Sequence, residues 1–467
     1  MTAALVVLGA TGDLTARYLL PGLAQVQPSV EGGLRLVGVA QDDLDTEGFR
    51  EHVRTKLEQH ATAASPEVRA ALADGAEYVH GDVTDPATLA AGIAAAGVAP
   101  DEPTVLYLAL PHVLFLPVVE ALARVDLPPG LRVVVEKPFG KDLAGAVELN
   151  AALGRLLPED RVFRVDHFLA KQTVLNVLGL RFANRVLEPL WSSQHVESVD
   201  IVFDETVDAQ ARASYYDRSG ALRDMVQNHL LQLLTYVAME PPTSMDPADL
   251  AARKADVLRA VRTPDREHVA RWTVRGRYTA GTVTGKDGER PVGSYVDAPG
   301  VEADRGTETY AEITLWVDTW RWGGVPFRLR TGKALGADRR EIVVRFRPVP
   351  HRVFAGAAPA TNELRLQLDP DRMALRLNVN GLGDPFDLET VDLDAQLARQ
   401  DPTPYGQLLL AVIDGDTRLS ARAAEAEEGW RIVEPVLAAW AAGASPLRDY
   451  AAGSDGPDAP TTSSAPV

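Results

Sequence analysis

The sequence contains no cysteine. This absence excludes disulfide bonds, iron–sulfur clusters and thiolate zinc sites, and it is typical of proteins of a reducing compartment, so we expect a cytoplasmic location. Acidic residues outnumber basic ones by 65 to 47, which gives a formal net charge of −18. We therefore expect no broad surface for nucleic acid or for an anionic membrane, although a small anion needs only a few cations in a local pocket.

Long hydrophobic runs are also missing. The longest apolar stretch, residues 105–119, is interrupted by Pro111, His112 and Pro117, so it does not predict a membrane span. The first apolar run, Ala3–Leu8, lacks a basic leader and is too short for an export signal. Lysine is scarce as well, and in a chain that mostly uses arginine, a lysine inside a motif indicates a need for a compact point charge.

With 467 residues, the chain is too long for a single ordinary core, so we expect at least two domains. Short apolar runs alternate with helical stretches in residues 1–165. This pattern predicts an α/β, Rossmann-like dinucleotide-binding domain, with a parallel sheet covered on both faces by helices. The predicted strands are residues 4–8, 34–39, 77–79, 104–110 and 132–135.

The remainder has a different pattern. Helices are predicted at residues 167–183, 219–239 and 427–442, and the strand-like runs between the last two alternate apolar with polar residues. This alternation predicts an α+β domain over residues 166–450 with a large, mainly antiparallel sheet. Residues 451–467 are rich in Ser, Pro, Ala and Gly, and we expect a disordered tail there.

A glycine-containing loop follows the first predicted strand. It comprises Gly9, Ala10, Thr11, Gly12, Asp13 and Leu14. In a dinucleotide-binding fold, this position brings backbone N–H groups to the pyrophosphate at a helix N-terminus. The full G-x-G-x-x-G fingerprint is absent, so a plain strand-to-helix turn remains the alternative.

Cofactor selectivity in such folds is decided at the end of the second strand, where an acid suits the ribose hydroxyls of NAD and an arginine suits the extra phosphate of NADP. Here Gln41, Asp42 and Asp43 occupy that position. Like charges about 4 Å apart repel by roughly 4 kcal/mol near a protein surface, so this segment favours NAD. The alternative is that the two acids only begin a solvated turn.

The fourth and fifth predicted strands end at Leu110-Pro111 and at Glu136-Lys137-Pro138. Ligands of open parallel sheets bind beyond the carboxyl ends of strands, so we predict that these residues contact the cofactor. Alternatively, Lys137-Pro138 only terminates the strand.

Polar residues of the second domain form two groups. His167 and Lys171 are four residues apart in a predicted helix and could converge on one anion, whereas Asp166 would address another partner. A helix cap with surface charges is the alternative. His229 lies on the apolar stripe of another predicted helix, where it is either a satisfied core residue or a general base. The histidines are scattered, and no metal site is predicted.

Six segments, in order along the chain, resemble glucose-6-phosphate dehydrogenases. They begin at Gly9, Glu136, Arg164, Arg223, Arg330 and Trp430, and they read GATGDL, EKPFG, RVDHFLAK, RDMVQNHLLQ, RTGKAL and WRI. The resemblance implies oxidation of the C1 hydroxyl of glucose 6-phosphate to a lactone, with hydride transfer to a nicotinamide cofactor. It also implies a homodimer or homotetramer joined through the large sheet.

The resemblance further implies a role for each matching residue. His229 resembles the general base and Asp166 its carboxylate partner. His167 and Lys171 resemble the phosphate-binding pair, and Lys137 a lysine that contacts both sugar and cofactor. The remaining substrate-binding residues implied in this way are Glu205, Asp224 and Lys333.

Several positions depart from the family pattern. Phe168 and Asp338 stand where a tyrosine and a cation are common, and an offset of one residue would let Arg339 restore the positive charge. Gln41 stands where NADP-using members carry arginine. Gln41, followed by Asp42, favours NAD over NADP, whereas Phe168 and Asp338 leave open a dehydrogenase for another sugar phosphate or an unphosphorylated sugar. A non-catalytic nucleotide-binding homologue is a remote alternative.

Overall fold

The computed structural model describes residues 2–458, except 286–287, 355–358, 385 and 399. The chain forms two compact units, each assembled from several stretches of sequence. The first unit comprises Met1–Gln172, Pro242–Ala251 and Gln400–Glu427, and the second comprises Thr173–Pro241, Ala252–Arg399 and Glu428–Val467. Residues 242–251 and 400–427 therefore belong to the same unit as residues 1–172. A single boundary between residues 165 and 166, as predicted from the sequence, does not describe this division.

The described residues contain eighteen strands and thirteen α-helices. The strands are β1 (Ala3–Leu8), β2 (Leu34–Ala40), β3 (Glu77–His80), β4 (Thr104–Leu108), β5 (Leu131–Glu136), β6 (Val162–Val165), β7 (Val196–Asp204), β8 (Thr273–Thr279), β9 (Gly281–Gly285), β10 (Gly288–Val292), β11 (Tyr310–Trp316), β12 (Pro326–Gly332), β13 (Arg339–Phe346), β14 (Glu363–Leu368), β15 (Asp371–Asn380), β16 (Leu388–Gln396), β17 (Ser420–Ala421) and β18 (Leu447–Ala451). The helices are α1 (Leu20–Val26), α2 (Thr46–His60), α3 (Pro66–Asp74), α4 (Pro86–Ala95), α5 (Phe115–Leu122), α6 (Leu143–Leu156), α7 (Gln172–Phe182), α8 (Ala213–Ala221), α9 (Leu231–Ala238), α10 (Pro247–Ala260), α11 (Arg266–Trp272), α12 (Pro404–Asp414) and α13 (Ala423–Ala441).

The first unit is built on a seven-stranded sheet with the order β17-β6-β5-β4-β1-β2-β3. Every pairing is parallel except that of β17 with β6. All six residues of β1 are buried, as expected for a strand with helices on both faces of its sheet. The order 3-2-1-4-5-6 is that of the doubly wound dinucleotide-binding fold, so the predicted class of this domain is confirmed.

The second unit contains a nine-stranded sheet with the order β16-β15-β14-β13-β7-β12-β11-β8-β18. Only the β7–β12 and β8–β18 pairs are parallel, which confirms the predicted mainly antiparallel sheet. The sequence prediction missed β7 although it lies at the centre of the sheet and ends directly before Glu205.

Two predicted helices are interrupted in the structure. Residues 167–183 form a short 3-10 turn, His167–Ala170, and then α7, with Lys171 extended between them at φ −73° and ψ 127°. Residues 219–239 begin with Gly220 at φ +71° and continue as a π-helix, Leu222–Leu230, before α9. The apolar spacing indicated helices but did not reveal these breaks, because they depend on packing against distant segments.

The prediction of disorder from residue 451 is wrong for the part of this segment that the structure describes. β18 pairs with β8 up to Ala451, and Ala452 is only 4% exposed. Gly453 and Ser454 form backbone hydrogen bonds with Ala334 and Gly336. Long-range pairing therefore orders a stretch whose composition favoured disorder, whereas residues 459–467 lie outside the described residues.

Among the described residues, no helix is both long and apolar enough to cross a membrane.

Candidate active site

The glycine loop lies at the centre of the first sheet, where the strand order changes direction between β1 and β4. Gly9 has φ +81°, and its N–H donates to the carbonyl of Val39 over 2.8 Å. An added Cβ would lie 2.5 Å from the Ala109 carbonyl oxygen and against the Leu110 side chain, so only glycine fits here. This switch point is where open α/β sheets bind nucleotides.

The other cofactor candidates of this loop have distinct surroundings. The Gly12 N–H donates to the Gly9 carbonyl over 3.1 Å, and Leu14 has helical backbone angles directly before the π-helical segment Thr15–Leu19. Asp13 is exposed and forms an ion pair with Arg17 at 2.7 Å. Pro111, after β4, is exposed as well. Gly12 and Pro111 therefore offer accessible surface beside the turn, while Asp13 is engaged with a side chain of its own helix.

The carboxylate of Asp42 is held toward the glycine loop. The Thr11 hydroxyl donates to Asp42 Oδ2 at 2.5 Å, and the Tyr78 hydroxyl donates to the Asp42 carbonyl at 2.8 Å. Gln41 hydrogen-bonds Asp82, and this bond helps to lower the pKa of the Asp82 carboxyl after the larger contributions from the Thr84 N–H and hydroxyl. The end of β2 thus presents one oriented carboxylate, that of Asp42, and no arginine.

Glu136, at the end of β5, is buried in a tyrosine network. The Tyr107 hydroxyl donates to Glu136 Oε1 at 2.5 Å, and Tyr405 forms a second hydrogen bond with the same carboxyl group. Burial raises the pKa of Glu136 to about 7, against the opposing effects of the Tyr107 hydrogen bond and the Lys137 charge. This carboxyl group therefore titrates near neutral pH, next to the half-buried Lys137, which precedes Pro138.

Asp166 and the predicted phosphate pair surround Phe168. Asp166 is 1% exposed and accepts a hydrogen bond from the Phe168 N–H at 2.9 Å. The His167 ring contacts the Phe168 ring at a centroid distance of 4.9 Å and stacks on Tyr405 at 5.5 Å, while Lys171 Nζ lies 4.8 Å from the centre of the Phe168 ring. His167 and Lys171 thus flank one aromatic ring instead of sharing the helical face that the spacing predicted.

In the second unit, Asp224 and His229 lie on the π-helical segment. His229 is 1% exposed, and its N–H donates to Asn228 Oδ1 at 2.6 Å. Because a π-helix repeats through i→i+5 hydrogen bonds, residues five apart lie above one another, whereas an α-helix would separate Asp224 from His229. Segments of this kind frequently occur at functional sites.

Glu205 and Lys333 form an ion pair in the second unit. Lys333 Nζ also lies 5.9 Å from the centre of the buried Tyr216 ring. Burial raises the pKa of the Tyr216 hydroxyl, and the negative charges of Asp224 and Glu205 raise it further. The structure therefore places Glu205, Asp224 and Lys333 around one tyrosine, which the sequence analysis did not identify.

The charge lost at Asp338 is not replaced by Arg339. Asp338 accepts a hydrogen bond from the Thr206 N–H at 2.8 Å, and Arg339 pairs with Asp204 at 2.9 Å. The guanidinium near Glu205 belongs to Arg340, at 3.8 Å. Register explains this choice, because successive residues of β13 point to opposite faces of the sheet.

Comparison with known proteins identifies the family. Residues 6–176 match the model described as "Glucose-6-phosphate dehydrogenase, NAD binding domain", and residues 178–465 match the corresponding C-terminal domain. The chain belongs to the glucose-6-phosphate dehydrogenase family. Its relatives include the glucose-6-phosphate 1-dehydrogenases of Gluconobacter oxydans, 42% identical over 98% of this chain and 94% of the relative, and of Mycolicibacterium smegmatis, 39% identical over 97% and 94%.

Solved structures of this family also resemble the chain over nearly its whole length. The glucose-6-phosphate 1-dehydrogenase from Mycobacterium avium superposes with a TM-score of 0.85 at 38% identity, covering 97% of this chain and 95% of that one. A glucose-6-phosphate dehydrogenase in complex with glucose-6-phosphate superposes with a TM-score of 0.86 at 31% identity, covering 98% and 95%. The predicted resemblance is therefore confirmed over nearly the whole chain.

Some residues around the family's motifs were missed by sequence reasoning. Each of these residues contacts a proposed site residue that is distant in sequence. They are Tyr107 and Tyr405 at Glu136, Tyr216 at Lys333 and Arg340 at Glu205. Only Arg340 had a local signal in the sequence. Two adjacent arginines follow Asp338, and either of them could supply the cation that is common at that position in the family. The tyrosines gave none, since buried aromatic residues are ordinary core residues in any sequence.

We predict that Glu136→Gln changes how stability depends on pH. The folded-state pKa of about 7 lies above the ordinary value of 4.5, so the folded protein keeps a proton that the unfolded chain releases. This contribution to the free energy of unfolding is full below about pH 4.5 and is lost as pH rises through 7. Relative to the variant, the natural protein should lose about 2–3 kcal/mol between pH 5 and 8. Urea unfolding at several pH values measures the difference, with the exposed Glu58→Gln as control. A pH-independent difference would contradict the assignment.

Proposed function

We propose that this protein oxidises glucose 6-phosphate at C1 to 6-phosphoglucono-δ-lactone and transfers the hydride to a nicotinamide dinucleotide. The observation that carries the proposal is the family match over nearly the whole chain. The nucleotide-binding strand order with its glycine turn and the buried His229 of the second unit agree with it. The neighbour solved with glucose-6-phosphate supports the choice of substrate.

His229 acts as the general base. A sugar hydroxyl is a weak acid, and a neutral imidazole is suited to remove its proton near pH 7 as hydride leaves C1. Asp166 is the carboxylate that orients the imidazole and stabilises the imidazolium that forms. Each of the two side chains is 1% exposed in its own surroundings, so a charge on either one is screened only weakly by water.

The remaining polar residues bind the substrate. His167 and Lys171 bind the phosphate, and the contact of both with Phe168 keeps them near each other. Glu205, Asp224 and Lys333 bind the sugar hydroxyls, for which carboxylates accept and an ammonium donates hydrogen bonds. Lys137 contacts both the sugar and the cofactor, and it follows Glu136 at the carboxyl end of β5.

The cofactor binds at the switch point of the first sheet. The N–H groups of Thr11, Asp13 and Leu14 receive the pyrophosphate, because those of Gly9 and Gly12 already donate to carbonyls and these two glycines instead allow its close approach. The approach to the nicotinamide is lined by Leu110, Pro111, Glu136 and Pro138. When bound, the nicotinamide supplies the hydride acceptor. We propose NAD as the preferred cofactor and NADP as the weaker one, because the oriented Asp42 carboxylate suits two ribose hydroxyls and repels a 2′-phosphate.

Activity assays with two sugars test this function. The purified protein should reduce NAD with glucose 6-phosphate far more efficiently than with glucose, because His167 and Lys171 recognise the phosphate. Equal kcat/KM values for the two sugars would favour a dehydrogenase of unphosphorylated sugars, and turnover of a different sugar phosphate alone would favour the other enzymatic alternative. The absence of turnover with any sugar would favour the third hypothesis, a non-catalytic nucleotide-binding homologue.

We predict that His229→Asn lowers kcat by about 10² to 10⁴ while KM for glucose 6-phosphate changes little, because the base acts in the transition state and not in binding. Steady-state kinetics measure both constants. His195→Asn is the matched control, since His195 is an exposed histidine of the same unit. A fully active His229→Asn variant would remove this residue from the mechanism.

The double variant Gln41→Arg, Asp42→Arg should shift cofactor preference toward NADP. Replacing an oriented carboxylate by two cations converts repulsion of the 2′-phosphate into attraction, and we expect the ratio of kcat/KM for NADP over NAD to rise about tenfold or more. The pair Glu58→Arg, Gln59→Arg makes the same charge change on the exposed surface of α2 and should leave the ratio unchanged. A natural protein that already prefers NADP strongly would refute the charge argument.

The large sheet offers a surface for a homodimer or homotetramer. On one face of its terminal strands, Leu375 lies opposite Leu393, which is 59% exposed, beside the half-buried Met373 and Leu377. β16 is also an edge strand of nine residues. Exposed apolar edges of this kind are normally covered in native proteins, so we propose that a second copy of the chain covers this one.

We expect Leu393→Asp to yield a single chain of 50.3 kDa in sedimentation equilibrium, because the burial of an unpaired charge would oppose association. Thr390→Asp adds the same charge to the opposite face of β16 and should retain the assembly. If neither variant affects assembly, the interface lies elsewhere on the chain.

The cytoplasmic location stays a prediction from the sequence.

A further inference from the structure

The turn that carries Lys333, residues 332–336, has a constrained backbone. Ala334 has φ +52°, and it is the one non-glycine residue with a positive φ among the described residues. An L-residue adopts this conformation only where the surrounding structure enforces it, and such positions cluster at functional sites. The contacts that enforce it therefore indicate what sets the position of Lys333.

One set of contacts comes from the chain after β7. The Glu205 N–H donates to the Gly332 carbonyl at 2.9 Å, and the Leu335 N–H donates to the Glu205 carbonyl at 3.0 Å. The Ala334 N–H donates to the Val207 carbonyl at 3.0 Å. These bonds tie the turn to the same segment whose Glu205 carboxylate pairs with the Lys333 ammonium.

The opposite side of the turn is held by residues 450–455, which we call the brace. The Tyr450 hydroxyl donates to the Lys333 carbonyl at 2.7 Å and shares a second hydrogen bond with Thr309 Oγ1 at 2.9 Å. The Gly453 N–H donates to the Ala334 carbonyl at 2.8 Å, and the Gly336 N–H donates to the Ser454 carbonyl at 2.9 Å. Three residues of the turn, Lys333, Ala334 and Gly336, therefore form hydrogen bonds with the brace.

The brace is itself anchored by an ion-pair cluster around one buried carboxylate. Arg330 donates to the Asp455 carbonyl at 2.6 Å, and Arg339 lies 3.4 Å from the Asp455 carboxylate. Both guanidinium groups also pair with Asp204, which is fully buried. Gly453 has φ +85°, and an added Cβ would clash with the Thr282 carbonyl, so this part of the brace fits closely into its surroundings.

We propose that Tyr450 is a positioning residue for substrate binding, which acts through the Lys333 backbone. This inference rests on the proposed role of Lys333 in binding the sugar. A lysine side chain has several rotatable bonds, so the location of its ammonium depends on where its backbone is held as well as on its partner Glu205. The brace supplies the backbone constraint, and its loss leaves Lys333 charged but less precisely placed.

The first test is Tyr450→Phe in the full chain, which removes the hydroxyl and leaves the ring. We expect KM for glucose 6-phosphate to rise about threefold to tenfold, the range produced by the loss of one buried hydrogen bond, while KM for NAD is unchanged. Tyr295→Phe is the matched control. Tyr295 belongs to the same buried cluster and donates to Asp217, not to the turn, so its loss should not change KM. Equal effects of the two variants on KM would overturn the proposal.

A double-variant cycle separates this inference from the proposed role of Lys333. Lys333→Met should raise KM for glucose 6-phosphate, and adding Tyr450→Phe should raise it no further, because the group being positioned is gone. If Lys333→Met leaves KM unchanged, the role of Lys333 fails. If Lys333→Met raises KM but the two effects multiply independently, the positioning role of Tyr450 fails.

Ala334→Gly provides a second variant that does not depend on Tyr450. Glycine accepts the positive φ without strain, so the melting temperature should change little while the turn gains freedom. We expect KM for glucose 6-phosphate to rise with kcat largely retained. An unchanged KM in both Ala334→Gly and Tyr450→Phe would show that the turn needs no brace.

Discussion

A carboxyl group removed from water must either be paired with a cation or keep its proton, and this constraint organises both units. Asp204 is fully buried and pairs with Arg330 and Arg339, although burial still raises its pKa. Glu136 is buried with tyrosine hydroxyls as partners, and its pKa rises to about 7. The first group anchors the segment around Glu205 and Lys333, and the second lies beside Lys137 at the cofactor edge of its sheet.

Departures from regular geometry coincide with the proposed site residues. Asp224 and His229 lie on a π-helix, Lys171 lies in an extended break before α7, and Ala334 adopts a positive φ next to Lys333. Each departure costs conformational energy, which the packing and hydrogen bonds around it offset. Because a regular backbone at these positions would have pointed the neighbouring side chains elsewhere, the irregular geometry is part of how the proposed chemistry is positioned.

The assignment of function and the finer roles rest on different kinds of support. Family membership follows from similarity over nearly the whole chain. The proposed preference for NAD rests on electrostatic repulsion at Asp42, where one hydrogen bond from Thr11 orients the carboxylate. The role of the brace rests on backbone hydrogen bonds, which no alignment of motifs would display.

The sequence by itself determined the class of both domains and the family resemblance, because periodicity and short motifs are local properties of the chain, and the same motifs supplied the proposed site residues. It also predicted that His229 is buried. Tertiary structure alone decided that Arg340, not Arg339, approaches Glu205, since the register of β13 sets which side chains share a face. It also decided that residues 451–458 are ordered, because their partners, such as Ala334 and Arg330, lie more than a hundred residues away and no local pattern records such contacts.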